Sequence, residues 1–490
     1  MQTGAMNSIG TPFSLVAHAY IDGAFVEPHG TELADLFNPS TEDRIGQVRL
    51  GDREDALRAI AAAKRAFAAM SRTSKSERIA MLDRLHAAVS ARVDDIRDAM
   101  MREYGASRAF AAASAASAAN AADAFRRAAV TLEDYDLNRR IGTADVRMEP
   151  VGVVALITPW NSNAGFICSK LATAISAGCT AVIKPSEMSA LQTQVVLEAL
   201  HAASLPPGVF NVVNGRGDVV GAEFASHPDI AKVSFTGSTA VGKSILRAGA
   251  ETLKRVTLEL GGKSPTILLD DADFGAAIPL AIQAGFINSG QACIAGTRVL
   301  VPRTRMAEAL ALIEAAVARV RVGDPRTGET DIGAMVSEKQ YDRVQRYIAL
   351  GVAEGARLLA GGPGRPAGLE RGWFVRPTVF ADVTNDMRIA REEIFGPVLC
   401  VIGHDGDEDA IAIANDTVYG LQASVHSTDL ARARVVASRL LAGRVLVNGL
   451  HHEPLASFGG FKQSGIGREF GEFGLAAFLE PKTLLGLVGG

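Results

Sequence analysis

The spacing of apolar residues divides this chain into a helical first part and a later part in which strands and helices alternate. Apolar residues recur every three or four positions over 54–70 and 76–101, which predicts amphipathic helices. Residues 109–130 are almost an alanine repeat, and because alanine is the best helix former we expect a packed helix there. Residues 139–148 mix charged and apolar positions and predict an exposed strand. The first 130 residues are therefore expected to be rich in helix.

From Val151 onwards, short apolar runs alternate with helical segments. The pattern predicts strands over 151–157, 180–183, 209–213 and 231–235. It predicts helices between them, the first closed by Gly178 and the second spanning 189–203. Such alternation indicates βαβ units and a parallel sheet, in which ligands bind at the carboxyl ends of the strands. Three polar motifs fall at that end: Asn161, residues 184–187 and residues 237–244.

A second alternating region runs from about 273 to 447 and predicts a second α/β domain. Its apolar strands include 298–301 and 398–402. Its helices include 306–320 and 337–351. Ser337 stands where an N-cap is expected, and Gly351 is expected to close the same helix.

Length and composition exclude several classes of protein. At 490 residues the chain is too long for one ordinary core, and two or three domains are expected. Hydrophobic residues make up 48% and charged residues 21%, which excludes a disordered chain. The net charge of -4 and the lack of a polybasic run argue against nucleic-acid and membrane-surface partners. No apolar stretch approaches the ~18 residues of a membrane span, and residues 1–20 lack a signal-peptide pattern.

Four cysteines, Cys168, Cys179, Cys293 and Cys400, bear on the compartment and on the chemistry. None lies in a C-x-x-C pair, and their spacing matches neither a disulfide framework nor a zinc site. We therefore expect free thiols in a reducing cytoplasm and no structural metal. A lone cysteine is most often a small buried hydrophobe, so spacing alone does not single out a nucleophile.

Residues 237–244, G-S-T-A-V-G-K-S, satisfy the pattern of a phosphate-binding P-loop. They follow a predicted strand and open a predicted helix, and residues 266–270 would supply a second strand that ends in an aspartate. A nucleotide triphosphatase is therefore a competing hypothesis. Against it, the loop follows three earlier strands, and Cys293, Glu259 and Asn161 have no role in such an enzyme. A glycine turn at a helix N-terminus binds any phosphate, including a dinucleotide pyrophosphate.

Seven motifs together resemble the aldehyde dehydrogenase superfamily, in the family's order and from about Ile21 to Thr483. They are P-W-N at 159–161, K-P-S-E at 184–187, F-T-G-S-T at 235–239, L-E-L-G-G-K at 258–263, N-S-G-Q-A-C at 288–293, E-E-I-F-G-P-V at 392–398 and F-G-G-x-K-x-S-G-x-G-R-E at 458–469. Each motif alone is weak, whereas seven in order are specific. The resemblance implies an NAD(P)-dependent, non-acylating enzyme that oxidises an aldehyde to a carboxylic acid.

The same resemblance implies three domains. A Rossmann-like parallel-sheet cofactor domain would span 1–127 and 150–258. A second α/β domain, over 259–473, would carry the catalytic residues. Strands in 128–149 and 474–490 would form a small β assembly domain, as in relatives that form homodimers and homotetramers.

By resemblance, Cys293 is the nucleophile, in a loop bounded by Gly290 and Gly296. A free thiol is only a few per cent thiolate at neutral pH, so the site has to activate it. Asn161 and the backbone N–H of Cys293 would hold the oxyanion, and Glu259 would activate the hydrolytic water. Glu259 stands between apolar Leu258 and Leu260, which raises the pKa of a carboxyl group and suits a general base. Two further residues match positions linked to proton relay: Lys170 and Glu469.

The cofactor implied by the resemblance is NAD, with NADP as the second possibility and no metal. Lys184 and Glu187 would hold the adenosine ribose, Gly237 and Ser238 the pyrophosphate, and Glu393 the nicotinamide ribose. Glu187 favours NAD because it accepts hydrogen bonds from the 2′-hydroxyl and repels a 2′-phosphate, although Lys184 would soften that repulsion. The other residues at matching positions are Ile157, Thr158, Pro159, Trp160, Ser186, Gly217, Phe235, Val241, Leu260, Gly261 and Phe395, the last near the nicotinamide end.

The aldehyde pocket departs from the commoner family pattern. Ser162, Gly165 and Ser169 are small and suggest a roomy pocket mouth. The loop 449–457, with His451, His452, Glu453 and Ser457, would shape the pocket for a polar or bulky aldehyde or else carry solvated side chains. Ala292 and Ile294 flank the nucleophile and should contact substrate. Two further hypotheses stay open: a non-catalytic binding protein, and a coenzyme A-acylating enzyme, which typically lacks the carboxylate found at Glu259.

Overall fold

The computed structural model describes residues 13–113 and 118–486. Residues 1–12, residues 114–117 of the segment for which the sequence predicts an alanine-rich helix, and residues 487–490 lie outside the described part. Within it, the strands form four sheets with helices packed between and around them. In the same residues, no helix combines the length and the apolar character needed to cross a membrane.

The first sheet contains the parallel strands that the sequence predicts after Val151. In spatial order its strands are Gly465–Ile466, Arg255–Glu259, Ile230–Thr236, Val153–Ile157, Thr180–Lys184, Phe210–Val212, Ala19–Ile21 and Ala24–Val26. The five consecutive strands from Arg255–Glu259 to Phe210–Val212 are parallel, so their carboxyl ends meet at one edge. Val153–Ile157 and Thr180–Lys184 are buried throughout, as expected for strands covered on both faces.

The second sheet confirms a second α/β unit. In spatial order its strands are Arg357–Ala360, Thr378–Ala381, Val398–His404, Arg298–Pro302, Pro265–Leu268, Gln422–His426 and Arg444–Val447. All neighbours are parallel except Arg357–Ala360, which runs antiparallel at one edge. Its strands Pro265–Leu268 and Arg298–Pro302 precede and follow Cys293 in the sequence.

Two three-stranded sheets complete the fold. One contains Ser14–Val16, Arg44–Arg49 and Leu33–Phe37, and the other Leu479–Leu484, Ala144–Pro150 and Asn138–Ile141. The prediction of one strand over 139–148 is wrong, because the chain reverses at Gly142. Gly142 adopts a φ of 59°, which folds Asn138–Ile141 back on Ala144–Pro150 as a hairpin.

Helices cover both large sheets. The α-helices are Arg53–Met70, Lys75–Ser90, Val93–Glu103, Arg108–Ala113, Ala118–Asp134, Asn163–Ala177, Ala190–Ala202, Ala222–Ser226, Thr239–Ala250, Phe274–Phe286, Met306–Val317, Glu338–Ala353, Arg388–Arg391, Asp407–Asn415, Leu430–Ser438 and Gly471–Ala476. Single turns of tighter or wider helix lie at Glu187–Ser189, Gly217–Gly221, Ile287–Gly290, Arg303–Arg305 and Lys462–Ser464. Gly178 ends its helix in the left-handed conformation, as predicted.

Two other helix predictions need correction. Residues 76–101 form two helices, since Arg92 leaves helical geometry and the acidic pair Asp94 and Asp95 begins a new N-terminus. Gly351 does not end its helix, which continues to Ala353; a Cβ there would lie 2.7 Å from the Phe380 ring, so this glycine permits close packing.

The described part of the first 130 residues is rich in helix, as predicted, and also contains strands. Of these, Ala19–Ile21 joins the first sheet by pairing Tyr20 with Val212. The Tyr20 ring also stacks on the Phe210 ring at 4.9 Å.

The order of the strands in the two large sheets contradicts the P-loop interpretation. The strand Pro265–Leu268, which precedes Asp270, lies in the second sheet. The strand before the loop, Ile230–Thr236, instead has Arg255–Glu259 and Val153–Ile157 as neighbours. In a P-loop enzyme the lysine of the motif reaches the bound phosphates. Here the Lys243 ammonium donates to the Gln463 side-chain oxygen at 3.0 Å, so the motif match is coincidental.

Candidate active site

A tight turn before Cys293 presents this residue to a cavity. Asn288, Ser289 and Gly290 all have positive φ, at 49°, 59° and 71°, which reverses the chain after the helix Phe274–Phe286. A Cβ on Gly290 would lie 2.2 Å from the Gly396 carbonyl carbon, so only glycine fits. The Ser289 hydroxyl accepts a hydrogen bond from the Gly333 N–H at 3.0 Å and holds the turn to the neighbouring segment.

The Cys293 thiol differs from the other three in its surroundings. Cys168, Cys179 and Cys400 are buried, as predicted, whereas Cys293 is half-buried and lines a cavity. Desolvation raises the pKa of the Cys293 thiol to about 12. The Glu393 and Glu259 carboxyl groups also raise this pKa, whereas the Arg444 guanidinium lowers it. The resting residue is therefore a thiol, and it needs a nearby base or a bound reactant to become a thiolate.

Asn161 is tied to the loop that carries Cys293. Its side-chain amide donates to the Gln291 carbonyl oxygen at 2.9 Å. The Asn288 amide donates to both the Asn161 and the Gln291 carbonyl oxygens, at 3.3 and 3.1 Å. Asn161 and Cys293 line the same cavity, and the second N–H of the Asn161 amide is available to an oxyanion there.

Glu259 ends the strand Arg255–Glu259 and is only 2% exposed. Neither of its carboxyl oxygens accepts a hydrogen bond from a described residue. Burial raises the pKa of Glu259 well above its usual value, the Glu469 carboxyl group adds to this, and Lys170 and Arg468 oppose it. A Cβ on Gly459, which lies in the motif at 458–469, would lie 2.7 Å from a Glu259 oxygen. The structure thus holds a poorly solvated carboxyl group on the cavity of Cys293.

Lys170 and Glu469 form a buried ion pair behind Glu259. The Ser234 hydroxyl bridges them, accepting from Lys170 at 2.9 Å and donating to Glu469 at 3.1 Å. Ser234 was not among the predicted site residues, because a serine inside a buried strand has no distinctive sequence pattern. The pair and Glu259 interact electrostatically, so the three groups form one charged network.

The residues predicted to bind the adenosine ribose meet at the carboxyl end of Thr180–Lys184. The buried Lys184 ammonium donates to the Pro185 carbonyl oxygen at 2.9 Å and to the Glu187 carboxylate at 3.3 Å. Desolvation lowers the pKa of Lys184, and Glu187 opposes that shift. The Ser186 hydroxyl caps the turn Glu187–Ser189, and a Cβ on Gly221, at the end of the turn that begins at Gly217, would lie 3.6 Å from the Lys184 chain.

The residues predicted for the pyrophosphate lie at the N-terminus of Thr239–Ala250. Ser238 caps this 12-residue helix by accepting from the Val241 N–H, and Val241 itself is exposed. A Cβ on Gly237 would lie 2.4 Å from the Phe235 ring, so the backbone there stays uncovered by a side chain. The free N–H groups and the positive end of the helix dipole suit an anionic phosphate.

The residues predicted for the nicotinamide end gather between the two sheets. Glu393 accepts a hydrogen bond from the Gly262 N–H at 3.0 Å, and burial raises its pKa to about 7. A Cβ on Gly261 would lie 2.5 Å from the other Glu393 oxygen, so glycine is needed there. The Phe395 ring meets the Trp160 ring edge-on at 5.7 Å. The remaining predicted residues line the same edge: Ile157 ends its strand, Thr158 and Pro159 follow it, and Leu260 is buried beside Gly242.

These positions fit a dinucleotide. The N-terminus of the helix Thr239–Ala250 lies at one edge of the first sheet. Two glutamates with available oxygens, Glu187 and Glu393, and several glycines without side-chain bulk lie along the same edge. Such an arrangement suits two phosphates flanked by ribose hydroxyls.

The cavity in front of Cys293 has a volume of about 1000 Å³, including its open mouth. Ser162, Gly165 and Ser169 line it, as do Ala292 and Ile294, as expected from the sequence. From the loop 449–457, His452 lines the cavity, while His451 turns back to the Val447 carbonyl oxygen at 3.2 Å. Phe458, the first residue of the motif at 458–469, also lines the cavity. The sequence did not single out several other wall residues, because they come from distant and ordinary-looking segments: Arg127, Phe166, Arg444 and Phe470.

Comparison with known proteins identifies the family. The model of the aldehyde dehydrogenase family matches residues 25–484. The 3-succinoylsemialdehyde-pyridine dehydrogenase of a Pseudomonas species is 46% identical over 470 residues, which cover 96% of this chain and 98% of that protein.

Solved structures agree in both fold and cofactor. A cysteine-to-alanine mutant of aldehyde dehydrogenase C from Pseudomonas syringae, in complex with NAD+ and octanal, has a TM-score of 0.95 and 46% identity, covering 97% of this chain and 98% of that one. An aldehyde dehydrogenase of Mycobacterium tuberculosis complexed with NAD+ has a TM-score of 0.94 and 39% identity, covering 97% and 99%. The chain belongs to the aldehyde dehydrogenase family and is an NAD(P)-dependent enzyme that oxidises an aldehyde to a carboxylic acid.

Proposed function

We propose that Cys293, Glu259 and Asn161 carry this oxidation. The observation that supports the proposal is their convergence on one cavity. A half-buried thiol, an anchored amide and a buried carboxyl group with no hydrogen-bond partner among the described residues line it together. The three lie on separate segments of the chain. A purely structural role does not account for a glutamate without hydrogen-bond partners in this position.

In the first step the Cys293 thiol releases its proton to solvent, its sulfur forms a bond to the aldehyde carbon, and the carbonyl oxygen becomes an oxyanion. The Asn161 side-chain N–H and the Cys293 backbone N–H donate to that oxygen. Removing one such donor typically raises the barrier by about 2.7–4 kcal/mol. NAD+, when bound, supplies the acceptor for the hydride that leaves the carbon, which turns the adduct into a thioester on Cys293.

In the second step Glu259 takes a proton from water as the water oxygen bonds to the thioester carbon. The carbon–sulfur bond then breaks, the carboxylic acid leaves, and the sulfur recovers a proton as the Cys293 thiol. Glu259 needs a high pKa to act as a base near neutral pH, and its burial provides this. The Lys170–Glu469 pair and Ser234 offer a route by which the proton leaves Glu259.

For the cofactor, Glu187 supports a preference for NAD over NADP. One of its oxygens pairs with Lys184 at 3.3 Å, and the half-exposed side chain leaves the other available to a ribose hydroxyl. A 2′-phosphate would meet this negative charge instead. The 1–127 and 150–258 segments would form the cofactor domain, and 259–473 the catalytic domain.

We propose a homodimer or homotetramer assembled through the segments 128–149 and 474–490. The sheet of Asn138–Ile141, Ala144–Pro150 and Leu479–Leu484 has an open strand at each edge. Ile141 on one edge strand is 63% exposed. Open edges pair readily with another chain, which supports this sheet as the assembly surface. Unpaired thiols at all four cysteines support a reducing, cytoplasmic location.

The test is NADH formation, followed by absorbance, with NAD or NADP and a panel of aliphatic and aromatic aldehydes. We expect NAD-dependent signal that Cys293→Ala lowers by at least about 10⁴-fold, as when a covalent nucleophile is removed. A Cys168→Ala variant, which changes a buried thiol away from the cavity, is the matched control. Activity that survives in Cys293→Ala would reject the proposed nucleophile.

The coenzyme A-acylating alternative is separated by analysing the product with and without coenzyme A. The carboxyl group of Glu259 on the cavity favours hydrolysis, so we expect the free acid when coenzyme A is absent. Product that forms only as the coenzyme A thioester would overturn this assignment.

A further inference from the structure

One wall of the aldehyde cavity carries three basic side chains from distant segments. Arg127 comes from the helix Ala118–Asp134, Arg444 from the strand Arg444–Val447, and His452 from the loop that follows this strand. His452 Nδ1 lies 3.4 Å from an Arg444 Nη1. After desolvation, both guanidinium groups contribute to lowering the pKa of His452, so the three side chains share one electrostatic environment.

In the described part of the chain, no carboxylate pairs with the Arg444 guanidinium. Among the described residues its hydrogen-bond partners are the Gln422 side-chain oxygen and His452, and its guanidinium lies 5.4 Å from the Phe458 ring centre. Desolvation lowers the pKa of Arg444. A poorly solvated arginine without a counter-ion is unfavourable unless a ligand supplies the negative charge.

The other charged groups near this wall leave it positive. Asp123 acts on Arg127 and Glu453 acts on His452, but the Arg127 guanidinium itself donates to the Asn120 carbonyl oxygen at 3.1 Å. Glu259, an acid that lines the same cavity, has a raised pKa that favours its neutral form. A negatively charged group is therefore the natural occupant of the space beside Arg444.

The orientation of Arg444 suits a carboxylate. The Gln422 amide donates to the Ile294 carbonyl oxygen at 3.2 Å, which turns its own oxygen towards Arg444. The Gln422 oxygen accepts hydrogen bonds from the Nε and Nη2 atoms of Arg444. The Nη1 atom of Arg444 donates to His452 Nδ1. Since arginine has five N–H donors, one on each terminal nitrogen is left for a ligand, the spacing at which a carboxylate binds with both oxygens.

We propose that the substrate is an aldehyde with a carboxylate at the far end of an apolar chain, an ω-oxo carboxylate. Arg444 binds that carboxylate, with Arg127 and His452 beside it. Phe166 and Phe458 on the same cavity provide apolar surface for the chain between the two ends. The inference rests on the proposed role of Cys293, which defines the reacting end of the cavity.

The first test compares kcat/KM for octanal and for the ω-oxo carboxylate of the same chain length, with its methyl ester as the uncharged analogue. We expect the wild type to prefer the carboxylate by at least about tenfold, chiefly through KM, as for a hydrogen-bonded charge pair. Arg444→Gln should bring the ratio close to one, and Arg444→Lys should lie between. Arg126→Gln, at the exposed neighbour of Arg127, should keep the wild-type ratio.

Two results would overturn the proposal. One is a wild-type enzyme that shows no preference for the carboxylate over octanal and the ester. The other is an equal loss with all three substrates in Arg444→Gln, which would mean that Arg444 acts on Cys293, whose pKa it already influences.

A binding measurement separates this proposal from the assignment of the nucleophile. Calorimetry on Cys293→Ala measures the affinity for the same ω-oxo carboxylate and for octanal without a covalent step. We expect tighter binding of the carboxylate, weakened by salt and by a second change, Arg444→Gln. Equal affinities would overturn the carboxylate site, whereas an active Cys293→Ala would overturn the nucleophile alone.

Discussion

On one side of Cys293 lies the proposed cofactor edge, and on the other lies the aldehyde cavity. The cofactor edge consists of short segments that each follow a strand of the first sheet, such as 157–161, 184–187 and 235–238. The cavity wall combines a helix near residue 127, the strand that begins at Arg444 and a loop near residue 458. The first side is made of consecutive residues, and the second of residues that are far apart in the sequence.

This difference has a physical origin. A dinucleotide is recognised largely through backbone N–H groups and close backbone approach, which require particular glycines and caps at fixed positions after a strand. An aldehyde cavity requires only a shape and a few polar groups, which many combinations of side chains supply. A substitution on the cofactor edge should therefore change the cofactor preference, and one in the cavity wall should change the aldehyde preference, except where a residue serves both.

After Cys293, Glu259 is the residue whose change should have the largest effect, because hydrolysis of the thioester depends on its carboxyl group. Glu259→Gln keeps the size of the side chain and removes the base, so we expect a rapid burst of NADH, stoichiometric with enzyme, followed by turnover that is about 10²- to 10⁴-fold slower. Stopped-flow absorbance separates the two phases. Unchanged steady-state turnover would remove Glu259 from the role of base.

Asn161→Ala should have the next largest effect and should act on the burst itself. Loss of one oxyanion donor typically lowers kcat about 10²- to 10³-fold. Because the Asn161 amide also donates to Gln291 at 2.9 Å, thermal unfolding should be measured beside the burst rate. Asn211→Ala, at a buried amide outside the cavity that donates to the Gly208 carbonyl oxygen at 3.0 Å, is the control for a purely structural loss. A slow burst in that control as well would argue for displacement of the loop.

The pH dependence should divide the two steps. A base with a raised pKa is unprotonated only at higher pH, so steady-state turnover should rise about tenfold per pH unit below the pKa of Glu259. This acid limb should disappear in Glu259→Gln. The burst should keep rising with pH in both proteins, since the pKa of the Cys293 thiol is raised to about 12. An acid limb that persists in Glu259→Gln would assign it to another group.

The smallest effect is expected at Glu187, on the cofactor side alone. Glu187→Gln removes the charge opposed to a 2′-phosphate and frees Lys184, so the NAD:NADP ratio of kcat/KM should fall by about tenfold. The preference among aldehydes should not change, which is the converse of the result expected for Arg444→Gln. Glu251→Gln, at an exposed residue outside the site, should change neither ratio. A shift in aldehyde preference with Glu187→Gln would break the separation of the two sides.

Helices and strands were predictable where the local pattern decided the outcome. The parallel strands after Val151 and the cap at Ser337 are confirmed because burial and capping act over a few neighbouring residues. The prediction that Gly351 ends its helix was wrong, because the lack of a side chain there serves packing against Phe380, which is distant in sequence. The hairpin at Gly142 was missed because a polar, exposed pair of strands has little apolar periodicity to mark its turn.

The sequence by itself determined the family, the type of chemistry and the residues whose motifs follow strand ends, since strand, turn and helix N-terminus are consecutive in the chain. Only the tertiary structure decided which groups share an environment. It brought Ser234 between Lys170 and Glu469, and it placed Arg444 on the aldehyde cavity with no carboxylate partner among the residues that the structure describes. Burial, pKa and unsatisfied charge depend on contacts between distant residues, and no local pattern records them.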